Sequence, residues 1–245
     1  MNDARTMPFR RITVEAFTIV ASILLAFSID AWWGDRESHK ELELELANVK
    51  SELQENRRRV ALEIFLLERI TSAGNSLIGT MTANQDATTI TVPDSLAWLT
   101  TVWSPTLDAS FGAVDALVSS GRLAEVEDPA LRSGLAGIRA RFEDTQEEEQ
   151  TARMVQYSLF FPLLIDKVDL HALYRYDDKY FSKVRYSDEA LPTDGNVEYP
   201  NSLAIRNTIL DRMGWLRTGH DEMSVLLEEI DRLIDLLQSN QSAKS

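Results

Sequence analysis

The chain contains no cysteine. That excludes a disulfide framework, a thiol nucleophile and a thiolate metal site. Histidine is nearly as scarce, with only His39, His171 and His220. No two of them form a His-x-x-x-His pair. In His220-Asp221-Glu222 consecutive side chains diverge by about 100° around a helix. All three histidines therefore read as surface residues. A glycine-rich phosphate loop, a Gly-x-Ser-x-Gly elbow and a calcium loop are also missing. No enzymatic activity, catalytic residue, cofactor or metal is expected. Positive charge is in deficit: 25 Lys and Arg stand against 39 Asp and Glu, a net charge of −14. Such a surface repels phosphates, which argues against nucleic acid as a partner and against lying flat on anionic lipid.

A long hydrophobic run stands out against this polar composition. Residues Ala16 to Ile29 carry no charge, and the wider segment Ile12 to Trp33 is 22 residues long. As a helix it spans roughly 33 Å, enough to cross the hydrocarbon. Arg10, Arg11 and Glu15 mark one edge, and Asp30, Trp32 and Trp33 the other. Carboxylates cost little at the headgroups, and tryptophan favours the interface. Arg5, Arg10 and Arg11 precede the run, which places residues 1–11 in the cytoplasm and exports the chain beyond Trp33. The same residues also fit a cleaved signal peptide. Arg10-Arg11 would then be its basic region, Ile19 to Phe27 its apolar core, and Ala26 and Ser28 the small residues before a cut at Ile29. The length of the run and the tryptophan pair favour the anchor. Ser22 and Ala26 form a small-xxx-small pair that would let two such helices approach.

Residues 34–240 read as one exported, all-α domain, with a polar, disordered tail at 241–245. From Gly34 to Ala83 the seam Leu42, Leu46, Val49, Leu53, Asn56, Val60, Ile64, Leu67 and Ile70 advances in steps of three and four. It serves either a coiled coil, with Asn56 setting register, or the interior of a monomeric bundle. Thr88 to Val92 has strand character but no evident partner. Ser95 is expected to cap a helix to about Trp103, and Asp108 to start another that ends at Gly121. Asp128-Pro129 is a helix start. That helix should continue past Glu147-Glu148-Glu149, a solvated face, to about Leu164, with Tyr157 to Ile165 in the core. Residues 174–199 look irregular. Pro200 is expected to open a last helix with the seam Leu203, Ile209 or Leu210, Met213, Leu216, Met223, Leu227, Ile230, Ile234 and Leu237. The architecture expected is one transmembrane helix followed by an antiparallel helical bundle whose first and last helices are long and coiled-coil-like.

Ser119, Ser120, Gly121 and Arg122 form a candidate ligand loop in which backbone amides and a guanidinium would meet an anion. The simpler reading of the same residues is a helix end capped by Gly121, with Arg122 complementing nearby carboxylates.

The block Glu15 through Ile23-Leu24-Leu25-Ala26-Phe27-Ser28-Ile29-Asp30-Ala31-Trp32 resembles the opening of a family of bacterial single-pass membrane proteins of unknown function. Leu117-Val118-Ser119-Ser120-Gly121-Arg122-Leu123, followed by Asp128 and Leu131, resembles a pattern in the exported half of that family. Ser28 and Asp30 stand where the family pattern prefers Gln and Asn. The resemblance implies a helical exported domain on one anchor and brings no activity. The expected role is a non-enzymatic assembly or scaffold component of the inner membrane. Its partners would be the bilayer and either a second copy or another envelope protein. The alternative is a ligand-sensing domain that signals through a membrane partner.

Overall fold

The computed structural model describes residues 8–186, 192–193 and 195–243, with the side chains of 14–177, 179, 192–193 and 195–240. The chain is mostly helical with one small sheet. It divides into two compact units, Met1–Asn48 and Val49–Ser245. Helix α1 covers Pro8–Ala83. Its apolar side chains between Val14 and Trp33, among them Phe17, Ile23, Leu24, Leu25 and Phe27, are exposed. This stretch is long and apolar enough to cross a membrane. Its best window has a mean hydropathy of 1.8 and none of it is buried.

In the second unit α1 buries one face. The buried residues are Val49, Leu53, Asn56, Val60, Glu63, Leu67, Ile70, Ala73, Leu77 and Met81, together with Leu66. The expected position Ile64 is only half-buried, and Glu63 stands inside in its place. The strict alternation of three and four residues runs through Glu63 and Gly74, so an apolar count alone slips by one. A Cβ on Gly74 would overlap the Met213 thioether, so this glycine permits close packing. The helix continues past it to Ala83.

Thr89–Pro93 forms β1, which pairs antiparallel with β2, Asn196–Pro200; Ile90 faces Tyr199 and Val92 faces Val197. The strand therefore has a partner about a hundred residues away, and the all-α expectation is corrected to mostly α. Helix α2 is Asp94–Thr101; Ser95 lies in its first turn and meets Thr193 Oγ1 at 3.1 Å instead of capping it. Helix α3 is Gly112–Ser119, later than the expected start at Asp108. A short 3-10 turn, Arg122–Glu125, comes next. Asp128 caps α4, Pro129–Met154, as expected: its Oδ1 accepts from the Ala130 and Leu131 amides at 2.8 and 3.3 Å.

Helix α4 passes into a π-helical segment, Val155–Phe160, and then α5, Phe161–Leu164. Buried positions on α4 run Leu131, Leu135, Ile138, Phe142, Thr145, Glu149 and Ala152. Beyond them Gln156, Phe160 and Leu164 are buried, each four residues after the last. The extra residue of a π turn explains this spacing. It brings Phe160 inside where a regular seam would have brought Leu159. Tyr157, Leu159 and Ile165 are consequently exposed, contrary to the expectation that this stretch is core.

Leu170–Tyr186 is a helix, α6, where irregular structure was expected. Pro200 closes β2 and does not open a helix. Helix α7, Leu203–Ala243, starts after Ser202, whose hydroxyl accepts the Ile205 amide at 3.3 Å. Its backbone is helical through Ala243, while Lys244 and Ser245 lie outside the described residues. Leu203 is exposed, Leu227 half-buried and Leu226 buried. The α7 seam alternates strictly through Ile209, Arg212, Leu216, Gly219, Met223, Leu226, Ile230, Leu233 and Leu237. Helices α4 and α7 run antiparallel in contact. A Cβ on Gly134 would overlap Leu233, and one on Gly219 would touch Glu148.

Candidate functional site

Residues 102–111, between α2 and α3, have no regular structure, yet side chains from several elements hold their backbone. Arg212 and Gln156 hold the first end. Arg212 is fully buried on α7, and its guanidinium donates to Thr100 O at 2.5 Å, to Trp103 O and to Gln156 Oε1 at 3.2 Å. The Gln156 amide donates to Thr101 O and Val102 O, both at 2.9 Å. The carbonyl end of a helix carries partial negative charge, so a cation there is favourable. Burial nonetheless pushes the Arg212 guanidinium down to about 10. Tyr199 adds a hydroxyl contact to Thr101 Oγ1 at 2.9 Å, and its burial pushes the phenol upward. Trp98 packs between Trp103 and Tyr176, with ring centroids 4.9 and 5.4 Å away.

Two acids, an amide and a guanidinium from α4 and α1 hold the rest. Glu149 Oε1 accepts the Leu107 amide at 3.0 Å. Burial raises the Glu149 carboxyl above its usual range, the Leu107 amide and Arg153 oppose that, and Asp108 adds to it. Glu149 is therefore not part of a solvated face. Arg59 donates to Asp108 O at 2.6 Å. Asn56 grips Ser110 twice, donating to its carbonyl at 2.6 Å and accepting its amide at 3.0 Å. Glu52 accepts the Ser110 hydroxyl at 2.9 Å and the Ala113 and Val114 amides at 3.0 and 3.1 Å. It caps α3 from another helix, where a carboxylate suits the unpaired first-turn amides.

A cleft of about 280 Å³ opens beside this loop, lined by Leu66, Trp103, Ser104, Thr106, Tyr157 and Asp177 among others. Among the described residues no group of three His, Asp or Glu side chains is placed to hold a metal.

The residues named from the sequence lie elsewhere. Leu42, Leu46, Val49, Leu53, Asn56 and Val60 are buried, as are Met223, Ile230, Ile234 and Leu237. The Asn56 amide is engaged by Ser110 within the chain. Ser22 and Ala26 are exposed, and the Ser22 hydroxyl donates to Thr18 O at 2.7 Å. Trp32 meets Trp33 edge to face at 6.0 Å, and the Arg36 guanidinium sits 5.7 Å from the Trp32 ring centre. Glu15 and Asp30 are exposed; the side chains of Arg10 and Arg11 lie outside the described residues.

Ser119, Ser120, Gly121 and Arg122 end α3. Gly121 takes φ 79°, and Arg122 stands 3.8 Å from Glu125. This is the geometry of a glycine-terminated helix. His220 joins helices, with Nε2 3.3 Å from Glu68 and Nδ1 3.2 Å from Asp221.

Motif and periodicity arguments do not single out Glu52, Glu149, Gln156 or Arg212. Three of these share a signal: Glu149, Gln156 and Arg212 occupy seam positions, where a polar residue must find a buried partner. No protein-family model matches this chain, and no match was found among curated proteins or solved structures.

Proposed function

We propose that this chain is a single-pass envelope protein of the inner membrane, with its N-terminus in the cytoplasm and a helical bundle outside. In this reading the exported unit is a non-enzymatic assembly component. The observation that carries the reading is the uncovered apolar stretch of α1, none of which is buried. At its edge Trp32 meets both Trp33 and Arg36, an arrangement suited to an interface. The resemblance of Glu15 to Trp32 to the opening of bacterial single-pass proteins points the same way. The seam side chains of the second unit are buried by the chain itself, so association would use exposed apolar residues such as Leu210 and Val225.

Photo-crosslinking in intact cells tests this. A reactive residue is placed in turn at Leu210, Val225 and Ile165 of the full chain. A discrete adduct with a second copy or with one other envelope protein is expected. Recovery of only uncrosslinked chain from all three positions would sink the assembly role.

A further inference from the structure

We propose that the cleft beside residues 102–106 binds a neutral saccharide ring, with Tyr157 as the stacking platform and Asp177, Ser104 and Thr106 as hydroxyl partners. Four observations carry this. The first is the platform. The Tyr157 ring is stacked on Phe161 with planes 3° apart and centroids 5.5 Å apart, and the residue is 57% exposed. An aromatic side chain backed in this way leaves apolar ring surface for the C–H face of a pyranose.

The second is the rim. Ser104, Thr106 and Asp177 share the cleft with Trp103, Leu66 and Pro105. Ring edges with hydroxyls need both donors and acceptors. A hydroxyl supplies either, and a carboxylate has about four acceptor positions, more than a single partner fills. The third is rigidity. Gln156, Arg212 and Glu149 hold backbone groups of this loop, from the α4–π segment and from α7, which lowers the ordering cost of a weak ligand. The α4 seam turns Gln156 inward, four residues after Ala152, and leaves its neighbour Tyr157 on the cleft. The fourth is charge and size. Asp177 and the net charge of −14 oppose an anion, and the hydroxyls of Ser104 and Thr106 suit an uncharged, hydroxylated ring. At about 280 Å³ the cleft lies near the lower end of ligand sites and suits one sugar ring.

Saccharide binding does not depend on the assembly role, and its test has a separate readout. The full chain is held in nanodiscs, because maltoside detergents would compete. Triacetylchitotriose and maltotriose are titrated by saturation-transfer NMR, with sorbitol as a polyol that lacks a ring. Saturable binding of at least one oligosaccharide is expected, with half-saturation on the order of 1 mM. Tyr157→Ala should weaken it roughly tenfold, the scale of one aromatic contact. Tyr157→Phe should retain it, Asp177→Asn should weaken it, and Tyr174→Ala, at another exposed tyrosine, should change nothing. No saturable binding of either oligosaccharide overturns the proposal. So does equal binding by Tyr157→Ala and the parent chain at equal melting temperature, or equal loss in Tyr174→Ala.

Discussion

Glu149 is an acid that folding favours in its protonated form. Its folded pKa lies above the unfolded value of 4.5, chiefly through burial. The folded state therefore binds the proton more tightly than the unfolded chain. Stability from this group is fullest below 4.5, falls as pH rises through the folded pKa, and stays lowered above it. Glu149→Gln keeps an acceptor for the Leu107 amide without the charge. It should melt above the parent chain at neutral pH, and the gap should close as pH falls toward 4.5, read by thermal melts across that range. Arg212 differs. Its guanidinium stays charged at neutral pH and serves three buried acceptors: Thr100 O, Trp103 O and Gln156 Oε1. Arg212→Met fills similar space but takes those donors away. A loss of about 3 kcal/mol is expected in urea unfolding, from the desolvated groups left without them. An unchanged midpoint would mean that the desolvation of the charge costs as much as its bonds return.

At the scale of elements, α4 separates two glycines that look alike in the sequence. A Cβ on Gly134 would enter the space of Leu233, Arg232 and Glu229 on α7, whereas one on Gly137 would meet nothing. Gly137→Ala should stabilise by up to about 1 kcal/mol through helix propensity alone. Gly134→Ala gains the same propensity but overpacks the α4–α7 contact, at a cost of about 1–3 kcal/mol. The two variants should therefore move the urea midpoint in opposite directions. The helices themselves are legible in the sequence: long, poor in proline, with Asp128 as a cap and Gly121 as a stop. Their registers slip where a seam position is polar or where apolar neighbours compete. Periodicity selects Ile64 where Glu63 is buried, and Leu227 where Leu226 is buried. An apolar count steps over a charged seam residue to its apolar neighbour. The β1–β2 pair has no local signature because its two strands lie about a hundred residues apart. Helix α6 is hidden because alternating tyrosines and charges imitate a covering loop.

For the whole molecule, the absence of cysteine makes orientation simple to measure. Single-cysteine variants Ala4→Cys and Val118→Cys report on either side of the apolar run. A membrane-impermeant maleimide applied to intact spheroplasts should label Val118→Cys and leave Ala4→Cys unlabelled until the membrane is opened. The reverse pattern would overturn the proposed orientation.

The sequence by itself determined the helical character, the acidic surface, the apolar run and the three-and-four rhythm of the long seams away from their polar positions. These follow from composition and from periodicity, which one helix expresses without reference to any other. Only the tertiary structure decided what the polar seam residues do. Asn56 reaches Ser110, Glu149 reaches Leu107, and Arg212 reaches Thr100 and Trp103. Each of these bonds spans more than forty residues of chain, and a buried polar group is tolerated only because such a partner arrives. A repeat in sequence marks which positions turn inward. The pairing of a donor with an acceptor depends on which elements meet, and that is decided when the helices pack.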